Sequence, residues 1–378
     1  MMVSGVLGGL ALAIWLYLVL ARGGFWLGRE RDDRDEPAAT PEVWPEVVAV
    51  VPARNEADVI VRSIGSLLAQ DYPGPFRIVL VDDQSDDGTG EVALAIDHAG
   101  RLEVMASAPR PSGWTGKLWA VSQGVERAGG TPRYLLLTDA DIGHAPQNLR
   151  RLVMRAEAEG RVLTSLMVRL HCATWPERLL IPAFVYFFEM LFPFAWVNRP
   201  GKVAAGAGGC MLVRRDALAA AGGIASIRGE IIDDCALARR LKGQGPIWLG
   251  LTTRAESLRP YTSFGEIGRM VSRSAYAQLG YSPLILIGCV LGMGLTYLAP
   301  PLVALFGEGP GRLAAVAAWL LMAVSFLPTL KLYRCSPLWG PALPLIGLLY
   351  TVFTVDSAVQ VWRGRGGMWK GRAQAMAS

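Results

Sequence analysis

Arg77-Ile78-Val79-Leu80-Val81-Asp82-Asp83 and Tyr134-Leu135-Leu136-Leu137-Thr138-Asp139-Ala140-Asp141 decide how this chain is read. Each is an apolar run of strand length that ends in a pair of acids. In an open α/β sheet, ligands bind in the crevice outside the carboxyl ends of the strands. Carboxylates gathered there are costly unless something positive or hydrogen-bonding meets them. A divalent cation carrying a diphosphate, together with a nucleoside, would satisfy both pairs in one cleft.

Outward from these runs, β-branched segments alternate with helical periodicity. Strands are expected at 47–51, 77–81, 102–105, 134–138 and 162–170, and helices at 57–70, 88–99, 117–127 and 147–159. Such alternation implies an α/β domain with a parallel sheet covered on both faces. The connection 106–116 carries Pro109, Pro111 and Gly113 and reads as a mobile loop.

The 378 residues are 52% apolar and the mean hydropathy is +0.32. That excess is concentrated at the N-terminus, in one central stretch and in the last third. The net charge of +5 sits beside these apolar stretches, which suits an anionic membrane surface. No basic stripe interleaved with aromatics is present, so nucleic acid is not an expected partner. Cys172, Cys210, Cys235, Cys289 and Cys335 are scattered and read as free thiols in a reducing compartment.

Residues 1–21 read as a transmembrane helix. Arg22, Arg29, Arg31 and Arg34 follow it and place residue 22 onward in the cytoplasm. Residues 22–46 read as a linker, 47–278 as the cytoplasmic catalytic domain, 279–362 as further transmembrane helices and 363–378 as a basic tail. Within the domain, 177–199 is aromatic and broken by Pro182 and Pro193; it reads as a helix lying in the membrane interface, the alternative being an aromatic core helix. C-terminal spans are expected near 283–298, 313–330 and 338–361. With the N-terminal span these would leave the tail outside, yet Arg363, Arg365, Lys370 and Arg372 prefer the inside. A re-entrant last segment, with Pro341 and Pro344, would remove that conflict.

Several residues carry candidate chemistry. Pro52-Ala53-Arg54-Asn55-Glu56 follows the first strand and could lie under a base and ribose. A carboxylate at Asp82 or Asp83 could accept from a base N–H or a ribose hydroxyl; capping of the following turn is the plainer role. In Asp139-Ala140-Asp141 the alternating spacing puts two hard oxygen ligands on one side of an extended segment, which suits Mg²⁺ or Mn²⁺ with substrate phosphates. Lys117 opens a helix behind Gly116 and could meet a phosphate or support an active-site carboxylate. Asp233 and Asp234 stand at another helix start, explained either by the helix dipole or by a general base. Gly206-Ala207-Gly208-Gly209 before them would let backbone approach a ligand closely. Arg269 and Arg273, one turn apart, could clamp a diphosphate or mark the cytoplasmic boundary. His144 reads as a loop residue, and His98 as a structural or surface one.

In this order the motifs resemble the family 2 inverting glycosyltransferases of the GT-A fold. That pattern is a Pro-x-x-Asn-Glu loop, an Asp-Asp-x-Ser-x-Asp-Gly-Thr turn, an Asp-x-Asp, a Gly-Gly strand and an acidic helix start, all found here between residues 52 and 241. Gly113-Trp114-Thr115-Gly116-Lys117-Leu118-Trp119-Ala120, Phe194-Ala195-Trp196-Val197-Asn198, Tyr281-Ser282-Pro283-Leu284 and Ser325-Phe326-Leu327-Pro328-Thr329-Leu330 are similar, more narrowly, to the bacterial hopene-associated glycosyltransferases. That similarity runs over nearly the whole chain. The resemblance implies a Rossmann-like mixed sheet plus transmembrane helices in the bacterial inner membrane. It implies a nucleotide-sugar donor, a divalent cation and a lipid acceptor, with Asp82 and Asp83 on the base, Asp139 and Asp141 on ribose and metal, and Asp234 as base with Asp233 beside it. Processive members carry Gln-x-x-Arg-Trp. Met270-Val271-Ser272-Arg273-Ser274 lacks the Gln and the Trp, which argues against polymer synthesis and leaves Arg273 as a diphosphate contact. Transfer to a polyprenyl phosphate, or a membrane protein that binds a nucleotide sugar without turnover, are the alternatives.

Overall fold

The computed structural model describes residues 2–34, 39–97 and 99–366, together with the backbone of a short hairpin, Met368–Trp369 and Arg372–Ala373. His98, part of the expected linker and most of the basic tail lie outside the described residues. The chain divides into two compact units. One is Glu30–His171 with Trp196–Pro260 and the terminal residues; the other is Met1–Arg29, Cys172–Ala195 and Tyr261–Gly366.

The first unit is built on eight strands: β1 (Val47–Ala53), β2 (Phe76–Asp82), β3 (Leu102–Ala106), β4 (Tyr134–Leu137), β5 (Ile142–His144), β6 (Leu163–Arg169), β7 (Met211–Arg214) and β8 (Ile247–Ser257). Their order is β3-β2-β1-β4-β7-β6-β8-β5. The sheet is mixed, as the family resemblance implies, and not parallel as the strand-helix alternation alone would have it. β1, β2, β3 and β4 run parallel, but β7 pairs antiparallel with both β4 and β6, and β5 pairs antiparallel with β8. β1 is buried along its whole length, as a central strand covered on both faces must be.

The register fixes what meets at the functional edge. Leu137 at the end of β4 pairs with Met211 at the start of β7. Met211 pairs in turn with Ser165 of β6, which runs parallel to β8. The segments after β1, β2, β4 and β8 and the segment before β7 therefore gather at one edge, with no crossing of the sheet required.

Part of the expected linker is ordered in this unit. Asp32 N donates to Leu251 O at 2.9 Å, Leu251 N donates to Glu30 O at 2.8 Å, and Arg254 meets the buried Asp32 carboxylate at 2.9 Å. The unit also ends at Pro260 rather than at 278.

The second unit is helical. Its helices are Met2–Ala21, Trp175–Leu191, Phe264–Ser272, Pro283–Met293 continued through a π turn to Phe306, Pro310–Leu332 and Leu343–Trp362. Five helical segments are long and apolar enough to cross a membrane. Pro300 explains the π turn at Gly294–Leu298. It has no N–H to give to Thr296 O, four residues back, and the Trp15 indole N–H donates to that carbonyl instead, at 2.8 Å. Gly8 and Gly311 let the first helix and Pro310–Leu332 touch backbone to backbone.

Trp175–Leu191 is an aromatic core helix of this unit rather than a surface-lying one. Tyr186 packs edge-on against Phe25, Phe187 and Phe326, its hydroxyl is 2.7 Å from Ser325 Oγ, and Phe187 packs on Tyr297 and Tyr350.

The last segment doubles back. Trp319 Nε1, midway along Pro310–Leu332, donates to Pro341 O at 3.1 Å, so the turn Pro337–Ala342 dips to the middle of that helix. Leu343–Trp362 then runs antiparallel to Pro283–Phe306. Gly347 lies against Tyr297, Ala358 clusters with Leu286 and Tyr276, and Trp362 meets the Tyr276 ring.

Candidate active site

Each acidic motif sits at the expected edge of the sheet, but the structure sorts them into three groups. The first surrounds Lys117. Its helix, Gly116–Arg127, is capped by Thr115, whose Oγ accepts from Leu118 N. The Lys117 ammonium lies 2.9 Å from Asp139 and 3.2 Å from Asp233. Asp234, beside them, accepts from Gly208 N at 3.0 Å and from Cys235 N at 2.7 Å. A β-carbon at Gly208 would stand 3.3 Å from Lys117 Nζ and 3.6 Å from the Asp234 carboxylate, so glycine lets the backbone come close to both. Pro52, Lys117, Asp139, Gly208, Asp233 and Asp234 border one hollow.

Electrostatics divide this group. Burial, with Asp233 adding to it, raises the Asp234 carboxyl from the ordinary 3.8 to about 6, against the pull of Lys117 and the two backbone N–H groups. Burial also raises Asp139, and Lys117 opposes the rise. Burial works against the charge on Lys117, but Asp139 and Asp233 outweigh it and hold the ammonium above its usual range.

The second group is a bridge that the sequence reading missed. Arg259, just past β8, pairs with Glu56 and lies 3.3 Å from Asp141. It thereby ties the loop after β1 to the loop after β4. The third group is the turn after β2. Asp83 is buried, its N–H donates to Ala53 O at 2.8 Å, and its carbonyl accepts from Arg54. Asp82 Oδ1 accepts from Ser85 N at 2.9 Å, which is the turn-capping role. Asn55 and Gln84 hold left-handed backbone, at φ 51° and 55°, and Asn55 Oδ1 accepts from Asp86 N at 3.1 Å. Backbone strain of this kind collects at ligand-binding sites.

Asp139, Asp233, Asp234, Lys117 and Pro52 thus meet around the hollow, while Asp82, Asp83 and Asp141 are not among its lining residues. Arg273 caps the end of Phe264–Ser272 and belongs to the helical unit. His144 is no loop residue. It ends β5, is buried, and lies between Thr138 Oγ at 3.0 Å and Asn148 Nδ2 at 2.9 Å. Thr138 spends its own proton on Gly209 O at 2.7 Å, so His144 Nε2 donates to Thr138 and Nδ1 accepts from Asn148. Burial lowers His144 to about 4. A neutral imidazole therefore fixes the residue next to Asp139.

Among the described residues, no three His, Cys, Asp or Glu side chains converge as a metal cage. Mg²⁺ is usually held by one or two carboxylates plus substrate phosphates. Asp139 and Asp141 are hard oxygen donors of that kind, Asp139 beside Lys117 and Asp141 beside Arg259.

Residues 48–222 match Glycosyl transferase family 2. The succinoglycan biosynthesis protein ExoO of Rhizobium meliloti (strain 1021) is 38% identical over 125 residues, 33% of this chain and 33% of its own length. An N-acetylglucosaminyltransferase of Mesorhizobium japonicum is 29% identical over 189 residues, 49% of this chain and 42% of its own. The chain thus spans less than half the length of these curated relatives. Among solved structures, the mannosyltransferase PcManGT from Pyrobaculum calidifontis, in complex with GDP-Man and Mn2+, superposes with a TM-score of 0.56 at 19% identity, over 94% of this chain and 99% of that one. The mixed α/β sheet is the GT-A fold. Residues 48–222 are thus similar to family 2 glycosyltransferases, and the chain shares the GT-A fold.

Proposed function

We propose that this chain is a membrane-bound inverting glycosyltransferase that moves a sugar from a nucleoside-diphosphate donor, UDP-linked, to the hydroxyl of a lipid. One observation carries the reading. Asp234 borders the same hollow as Asp139 and Lys117, anchored by two backbone N–H groups, with its proton affinity raised to about 6. That is the range in which a carboxylate works as a general base near neutral pH.

In the proposed reaction the acceptor oxygen attacks the anomeric carbon as Asp234 takes its proton. The new C–O bond forms on the face opposite the breaking one, whose electron pair leaves with the nucleoside diphosphate. A single displacement inverts the anomeric centre. Asp82, Asp83, Pro52, Ala53, Asn55 and Glu56 would hold the base and ribose, and Lys117 would anchor Asp139 and Asp233 beside the donor. Asp139 and Asp141 would hold the divalent cation, which offsets charge on the departing diphosphate when bound.

The lipid acceptor rests on the helical unit, which carries most of the exposed large apolar side chains, Leu284, Leu291, Leu305, Phe306, Leu313 and Leu320 among them. Exposed apolar surface on this scale marks a membrane or protein interface. A hopanoid is the acceptor that the sequence resemblance implies. The test is to incubate the purified full chain with labelled UDP-sugar, Mn²⁺ and bacterial lipid extract. Label is expected in an alkali-stable glycolipid. Donor that is bound but neither transferred nor hydrolysed would instead identify a nucleotide-sugar sensor.

The same reading carries a topology. Met2–Ala21, Pro283–Phe306 and Pro310–Leu332 cross the inner membrane, with residue 22 onward in the cytoplasm. The last segment re-enters without crossing, which returns Arg363 and Arg365 to the cytoplasmic side as the positive-inside rule prefers. Cysteines placed at Arg29 and Arg365 in a chain stripped of its native cysteines should share protection from an impermeant maleimide in intact cells, while one at Glu308 should label. Labelling at Arg365 would mean that the last segment crosses.

A further inference from the structure

The hollow beside Asp234 has two kinds of wall. Its charged side is the Lys117 cluster, with Asp139, Asp233 and Asp234. Elsewhere it is apolar, formed by Leu118, Val121, Met211, Ile224, Ile227 and Leu237, all buried side chains. It has room for about two water-sized groups.

A sugar ring carries hydroxyls on every side, and these apolar walls would leave them without partners, which is costly. The ring must therefore stay at the charged rim, where carboxylates accept from its hydroxyls, and only a small apolar substituent can enter.

We infer that this hollow receives the acetamido group of the donor sugar, so that the donor is a nucleotide-linked 2-acetamido hexose. The inference rests on the donor reading given above. An acetamido group presents a methyl for the apolar walls, an N–H for a carboxylate acceptor and a carbonyl oxygen for the Lys117 ammonium. The rim carries both partners. The methyl of a 6-deoxy sugar would fill the walls equally well but would use neither. A plain hydroxyl at the same position would reach the rim and leave the apolar walls empty.

The expected size follows from what one small group contributes in an apolar pocket, about 10- to 200-fold in discrimination. The full chain in nanodiscs, with Mn²⁺, is titrated with UDP, UDP-glucose, dTDP-rhamnose and UDP-N-acetylglucosamine. UDP-N-acetylglucosamine should bind about tenfold or more tighter than UDP-glucose. In saturation-transfer NMR its acetyl methyl should be the most strongly saturated sugar proton. Val121→Phe should erase the preference for UDP-N-acetylglucosamine over UDP-glucose, and Val121→Ala should keep it. If that bulky variant does not fold, the wild-type affinities and the methyl signal still decide.

Equal binding of UDP-glucose and UDP-N-acetylglucosamine, or a methyl less saturated than the ring protons, would overturn the acetamido assignment and leave the donor reading standing. Preference for dTDP-rhamnose would do the same in favour of a deoxy sugar. Failure of all four ligands to bind would remove both.

Discussion

Asp234→Asn is expected to lower transfer to a hydroxyl acceptor by about 10²- to 10⁴-fold, the usual contribution of a positioned general base, with donor affinity unchanged. The amide keeps the size of the carboxylate but cannot take a proton. Its single oxygen can still accept from Gly208 N or Cys235 N, though not from both as Asp234 does. The wild-type rate should fall as pH drops through about 6, where burial and Asp233 place the Asp234 proton, because only the ionised base is competent. That acid limb should vanish in the variant. Stability should move the other way. A carboxyl whose folded value lies above its unfolded 3.8 costs stability as pH rises through this window, so the neutral amide relieves a penalty at pH 7. A near-wild-type rate in Asp234→Asn would mean that the acceptor arrives already ionised, as a polyprenyl phosphate would.

How much of this was legible beforehand depends on where each signal is written. The ends of β1, β2 and β4 could be read because an apolar run and its terminal acids are neighbours in sequence. The acidic start of Asp233–Lys242 was visible for the same reason. β7 was marked only by the Gly-Gly strand of the family pattern, since Met211-Leu212-Val213-Arg214 is four residues long and becomes a strand by inserting between β4 and β6, neither of them adjacent in the chain. β8 hides its alternation behind Gly250, Thr252 and Thr253, and it is β7 and β5, the two strands running against the rest, that make the sheet mixed. Arg259 carried no local mark at all, because its partners lie 203 and 118 residues away. A lone arginine between a strand and Pro260 was the only hint. His144 was misread for a related reason, since its hydrogen-bond partners are near in sequence but its burial is set by β8 and Asn148 folding over it.

Lys117→Met should have the second large effect, and it tests whether the charged side of the hollow is one unit. The ammonium sits between Asp139 and Asp233, at 2.9 and 3.2 Å, and also lowers the proton affinity of Asp234. Methionine keeps most of the volume and removes the charge, leaving three carboxylates facing one another. Breaking a fully buried pair from one side costs about 3–5 kcal/mol. The side chains here are 20–34% exposed, so solvent screening brings the expected loss at pH 7 nearer 2 kcal/mol. Without the cation, Asp139 and Asp234 hold their protons more tightly still, and the acid limb of the rate should shift above the wild-type position near 6. The sign of the stability effect follows. The penalty exists only while the carboxylates are ionised, so the melting-temperature gap between variant and wild type should be widest at pH 7–8 and narrow as pH falls toward 5. Lys117→Arg keeps the charge and should close most of that gap, even if its larger head group crowds Gly208 and slows transfer. An acid limb that stays put in Lys117→Met, with an unchanged melting temperature at pH 7, would show that Lys117 is a solvated surface cation and that Asp234 owes its raised proton affinity to burial and Asp233 alone.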